Sequence, residues 1–151
     1  MRGGFPIVPR MSYASINGTE LFYTTVGQGE PCLMMHGSLG FDHTMVHPGL
    51  DRLGEVFQLV YYDHRCNGRS GRPPIETLTW EQLAHDAERL RRHLGFGKIS
   101  IASHSFGVFP ALEYSLRYPQ SVHRLILIVA VPAFDYFPEV IANMRGRGAS
   151  D

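Results

Sequence analysis

A chain of 151 residues and 17.0 kDa, with 44% hydrophobic, 19% charged and 11% aromatic residues, has the composition of one globular domain around a single core. Those fractions exclude disorder, collagen and coiled coil. The balance of 14 basic against 14 acidic residues, with a pI near 7.1, excludes a global field that would draw the chain onto nucleic acid or an anionic membrane.

The first patterned segment begins at Met11. Residues 1–11, with two Pro and two Gly, read as a loose tail without the apolar h-region of a secretory signal. Tyr13–Ile16, Asn17-Gly18 and Thr19–Val26 predict a β-hairpin, because Asn-Gly supplies the positive φ values of a tight turn. Pro31–Met35 and Val56–Tyr62 predict short buried strands, and Thr44–Leu53 between them predicts a helix that Pro48 and Gly49 weaken. Thr79–Leu94 is the clearest helix. Thr79 and Gln82 form a capping box, Trp80, Leu83, Ala87, Leu90 and Leu94 fall on one stripe, and Gly95 stops it. Arg89, Arg91, Arg92 and His93 are then its solvated face. Lys98–Ala102 predicts a strand, Phe106–Arg117 a helix ended by Tyr118-Pro119, and Leu125–Val131 a strand buried on both faces. Strands alternating with helices after a hairpin imply an α/β architecture, a mainly parallel sheet with flanking helices.

Two cysteines without CxxC spacing indicate neither a zinc knuckle nor a disulfide framework. No run reaches the roughly 18 apolar residues that span a bilayer. A cytoplasmic protein is the expectation, with no nucleic-acid or membrane partner and no cofactor. His43 and His47 have the i, i+4 spacing of a helical metal site, but no further ligand accompanies them, so no metal is assigned.

Chemistry concentrates in three segments. In Ile99–Gly107 a strand runs into Ser103-His104-Ser105-Phe106-Gly107 and then into a helix. A nucleophile at such a turn occupies a strained backbone site that small neighbours two residues away relieve. The helix start lies beneath Ser105, and the amide of Phe106 can point at a developing oxyanion. His36-Gly37-Ser38-Leu39-Gly40 follows the strand ending at Met35, and its Gly-containing turn can aim the amide of Ser38 at the same pocket. Asp63-His64-Arg65-Cys66-Asn67-Gly68-Arg69-Ser70 reads as structural, with Asp63 and Arg65 ordering a turn and Ser70 as a local cap.

These three segments, in this order and spacing, resemble the N-terminal half of an α/β-hydrolase-fold protein from about Ser12 to Val131, in the esterase and proline iminopeptidase-like branches. Cys66 stands where that family usually has Gly, and Ser103 replaces the first elbow Gly. The resemblance implies Ser105 as nucleophile, Ser38 and Phe106 as oxyanion donors, and an acid and a His following the serine in that order. Only 46 residues follow Ser105, and none of the eight histidines stands where the family puts its base. His104, beside the serine, reads as a packing residue. Asp135, just past the last strand, is the candidate acid, ahead of Glu139.

The expectation is therefore an α/β-hydrolase fold truncated after about the sixth strand. Residues 12–134 would form the N-terminal part of the core, and 135–151 the start of a cap or a frayed tail. It implies a serine hydrolase of small-molecule carboxylic esters or amides whose acid and His lie outside the chain, supplied by a complementing C-terminal segment or a homodimer. The rival expectations are a non-catalytic small-ligand-binding protein of the same fold and an inactive fragment.

Overall fold

The computed structural model describes residues 10–129. Six strands form one sheet: β1 (Arg10–Ile16), β2 (Thr19–Val26), β3 (Glu30–Met35), β4 (Phe57–Tyr62), β5 (Ile99–His104) and β6 (Val122–Ile128), in the order β1-β2-β4-β3-β5-β6. The hairpin β1–β2 and its pairing to β4 are antiparallel, while β4–β3, β3–β5 and β5–β6 are parallel. Asn17 (φ 47°) and Gly18 (φ 74°) make the predicted turn with both central residues left-handed.

Two helices, α1 (Trp80–His93) and α2 (Val108–Arg117), cover one face. Leu33, Met35, Val60, Tyr62 and Ile101 point into that layer and meet Ala84, Ala87, Leu90, Ala111 and Tyr114. The alternate residues Cys32, Met34, Leu59, Tyr61 and Ala102 point the other way, against Val46 and Leu50. Strands β3, β4 and β5 are therefore buried on both faces, as their continuous apolar runs require.

Three elements depart from the sequence reading. The helix predicted over Thr44–Leu53 is two separate 3-10 turns, His43–Met45 and Asp51–Glu55. Pro48 lacks the N–H that a continuous helix needs there. The strand predicted as Leu125–Val131 runs over Val122–Ile128, and none of its residues is fully buried. Leu127 is 40% and Val129 69% exposed. The reason is position: β6 pairs only with β5 among the described residues, so an apolar run suited to a sheet interior lies at a sheet edge.

The third is the capping of α1. Thr79 Oγ1 accepts from the Gln82 N–H (3.1 Å), but the Gln82 side chain turns to Asp86 (3.0 Å) instead of closing the reciprocal half of the box. Trp80 does not join the buried stripe. It packs with tilted rings against Phe106 and Phe109, at centroid distances of 4.9 and 5.3 Å, where α1 and α2 begin.

Candidate active site

The register brings the two predicted turns together. Met35 at the end of β3 is paired with Ser103 near the end of β5, so the chain leaves both strands side by side at their carboxyl ends, where open α/β sheets bind ligands. Ser105 begins the short 3-10 turn Ser105–Gly107 that leads into α2, and its φ is 49°. A non-glycine residue there is strained, which fits an elbow that lifts one side chain out of the strand-to-helix path. The amide of Phe106 is among the donors at the start of that turn that have no intrahelical acceptor.

Two glycines allow this approach. A Cβ on Gly107 would lie 2.5 Å from the carbonyl oxygen of Met35 and 2.6 Å from that of His36. A Cβ on Gly37 would lie 2.9 Å from the His104 carbonyl oxygen and 3.1 Å from Ser105 Cβ. The elbow and the His36–Gly40 turn are therefore in backbone contact, with Ser105 at the seam. Ser38 also has positive φ (45°), and its N–H meets no acceptor among the described residues. Asp135, the candidate acid, lies outside the described residues.

No histidine hydrogen-bonds to Ser105. His43 Nδ1 binds Asp63 (2.7 Å), His47 Nδ1 binds Asp51 (2.8 Å), His85 contacts Tyr118 and Glu81, and His123 pairs with Glu30 (3.0 Å). His93 packs edge-on to Tyr23. His36 and His64 are buried and in ring contact, tilted by 46° at a centroid distance of 4.4 Å. His104 lies beside Gly37, with its buried Nδ1 unpartnered.

The Asp63–Ser70 segment is structural, with one correction. Asp63 accepts from the backbone N–H of His43 (2.8 Å), the His43 ring and the N–H of Arg69 (2.8 Å). Burial works against its charge, but these donors outweigh it and hold the carboxyl below its ordinary range. Ser70 Oγ accepts from the Phe22 N–H (3.0 Å) and donates to the Asp63 carbonyl (2.6 Å), tying the turn to the hairpin.

Arg65 does not order that turn as predicted. It reaches α1 and forms a two-pronged pair with Asp86 (Nε to Oδ2 2.6 Å, Nη2 to Oδ1 2.8 Å), and both side chains are at most 2% exposed. Asn17 Nδ2 also donates to Asp86 (2.9 Å), so hairpin, turn and helix share one buried carboxylate. The available signal was Asp86 itself, a charge placed between Leu83 and Ala87 on the apolar stripe. Cys66 has φ 63°, the left-handed conformation for which the resemblance expected glycine.

Ligand atoms of Asp42, His43 and Asp63 come within 4.8 Å of one another. Both Asp63 oxygens already accept hydrogen bonds, and Asp42 Oδ1 accepts from the Thr44 N–H (2.8 Å) and hydroxyl (2.5 Å). These carboxylates serve as turn acceptors. Among the described residues, no helix is long and apolar enough to cross a membrane.

A family model described as alpha/beta hydrolase fold matches residues 31–151. The chain is 33% identical over 118 residues to the serine hydrolase BPHL of Homo sapiens, covering 75% of this chain and 40% of that protein. It is 30% identical over 137 residues to a soluble epoxide hydrolase of Corynebacterium sp., covering 87% and 46%. The crystal structure of a proline iminopeptidase-related protein from Thermus thermophilus superposes with a TM-score of 0.74 at 30% identity, over 80% of this chain and 44% of that one. The chain thus spans less than half the length of each of these relatives. The six-stranded mixed sheet, the elbow at the end of β5 and the turn packed against it are those of a hydrolase scaffold, and the chain belongs to the alpha/beta hydrolase fold family.

Proposed function

We propose that this chain carries the nucleophile and oxyanion half of a serine hydrolase acting on small carboxylic esters or amides. The observation that carries the reading is Ser105, held at φ 49° between β5 and α2, with the Gly37–Ser38 turn in contact behind it. Ser105 Oγ attacks the carbonyl carbon and its proton passes to a base. The carbonyl π electrons collect on oxygen, which the amides of Ser38 and Phe106 stabilise. Collapse expels the alcohol or amine, which takes up the proton, and water then hydrolyses the acyl-enzyme. The family includes relatives with different chemistry, so the choice of ester or amide rests on Ser105 and its donors.

None of the eight histidines hydrogen-bonds to Ser105 among the described residues, and His43, His47 and His123 are paired with carboxylates elsewhere. In this reading the base is a histidine other than these eight, supplied by a C-terminal segment or a second copy, and the acid is not among the described residues. The same observation favours a second reading, a non-catalytic protein of this fold that binds a small ligand at the seam. Two free thiols, Cys32 and Cys66, suit the reducing cytoplasm.

A fluorophosphonate probe applied to the complete gene product tests the reading. Oγ–P bond formation with loss of fluoride should place the label on Ser105, and Ser105→Ala should abolish it. A label on another serine, or none, overturns the hydrolase reading.

A further inference from the structure

The structure fixes the protonation and direction of one buried ring that the reaction does not touch. His36 is completely buried at the start of the turn behind Ser105. Its Nε2 accepts the backbone N–H of His64 (3.1 Å), so in the neutral ring the proton is on Nδ1. Nδ1–H in turn donates to the carbonyl oxygen of Gly37 (2.8 Å). Burial lowers the affinity of this ring for a second proton, which keeps it in the neutral form.

The Gly37–Ser38 peptide is trans, and in a planar trans peptide the C=O and N–H point in opposite directions. Pinning the Gly37 oxygen to a buried ring therefore turns the Ser38 N–H away from that ring. Ser38 has positive φ, its N–H has no other acceptor among the described residues, and Gly37 packs on Ser105 Cβ. A peptide with both ends free could flip; this one is held at its carbonyl.

We infer that His36 is a positioning residue, whose Nδ1–H holds the Gly37–Ser38 peptide so that the Ser38 amide is preorganised as an oxyanion donor. This inference rests on the serine-hydrolase reading above. His36 touches no reacting atom, and it acts through the orientation of one peptide plane. Preorganised donors matter because reorienting them during reaction would cost the stabilisation they supply.

The two amide substitutions separate the ring's two hydrogen bonds. In His36→Asn the side-chain nitrogen takes the place of Nδ1 and can donate to Gly37 O. In His36→Gln the amide reaches the place of Nε2 and can accept from His64, while Gly37 O loses its donor. The measurement is the second-order rate of fluorophosphonate labelling at Ser105 in the complete gene product, with the urea midpoint of each variant recorded beside it. His36→Gln should label about 10- to 100-fold more slowly than wild type, below the roughly 10²- to 10³-fold loss for deleting a donor outright. His36→Asn should stay within about threefold, even where its urea midpoint falls as far as that of the Gln variant. Equal labelling in wild type and folded His36→Gln overturns the inference and leaves the hydrolase reading standing. So does a folded His36→Asn that labels as slowly as the Gln variant, or, where the Gln variant does not fold, one slowed more than tenfold. Absence of Ser105 labelling in wild type overturns the hydrolase reading, and this inference with it.

Discussion

Gly107→Ala isolates the contact on which the site depends. The residue lies at φ −59° and ψ −12°, a conformation that alanine adopts freely, so the substitution tests space and not backbone freedom. Its Cβ would lie 2.5 Å from the Met35 carbonyl oxygen, 2.6 Å from that of His36 and 3.0 Å from the Met35 carbonyl carbon. All three are backbone atoms of the strand and turn beside the elbow, and none can swing aside as a side chain would. Restoring an ordinary contact requires the start of α2 to move off the end of β3 by about 0.5 Å or more. Overpacking of this kind costs about 1–3 kcal/mol, against which alanine's helix propensity returns at most about 1 kcal/mol. The larger effect should fall on reactivity. The same displacement separates Ser105 from the Ser38 turn, and misplacement approaching 1 Å can cost about 10²-fold in rate. Gly97→Ala is the control, because a Cβ there meets nothing within 4 Å. Denaturant midpoints and Ser105 labelling rates of the two variants would be compared with wild type. A Gly107→Ala protein as stable as the Gly97→Ala control and labelling at the wild-type rate would refute the close-approach argument.

Asp86→Ala should cost about 3–5 kcal/mol in urea denaturation, because it leaves the buried Arg65 guanidinium unpaired. Asp86→Leu combined with Arg65→Met should recover most of that loss, and a single variant costing less than about 1 kcal/mol would remove the structural role assigned to the pair. Stability should also fall with pH in the window from about 7 to 5, before the carboxylates titrate. Burial holds His36 and His64 below the ordinary histidine value, aided for His64 by the neighbouring His36 ring, so the unfolded chain binds the extra protons. Each residue contributes a slope of up to about 1.4 kcal/mol per pH unit, lost as the pH drops below about 6.5. Denaturation midpoints that stay flat between pH 7 and 5, or a slope unchanged in His64→Phe, would contradict this.

Local patterns in the sequence were enough to establish the hairpin, the two helices, the inner strands and the Ser105 elbow. Asn17-Gly18 dictates its own turn, the Leu83–Leu90 stripe has a helical period, and a strand followed by small-x-Ser-x-Gly and a helix is readable within nine residues. Each of these signals depends on neighbours in the chain. Tertiary structure alone decided what depends on distant segments meeting. Arg65 reads as a turn residue until α1 brings Asp86 to it, and His36 reads as a loop residue until the end of β4 brings it the His64 amide. The apolar run ending in Val129 signals a buried strand, but burial is set by what lies on either side of it, and β6 has a neighbour on one edge only among the described residues. The sequence motifs single out Gly37 and Gly107 but not the backbone atoms they face, whereas the exposed Gly97 faces none within 4 Å. The need of Gly37 and Gly107 for a missing side chain arises where β3 and β5 lie side by side, because two backbones can approach this closely only where no Cβ stands between them.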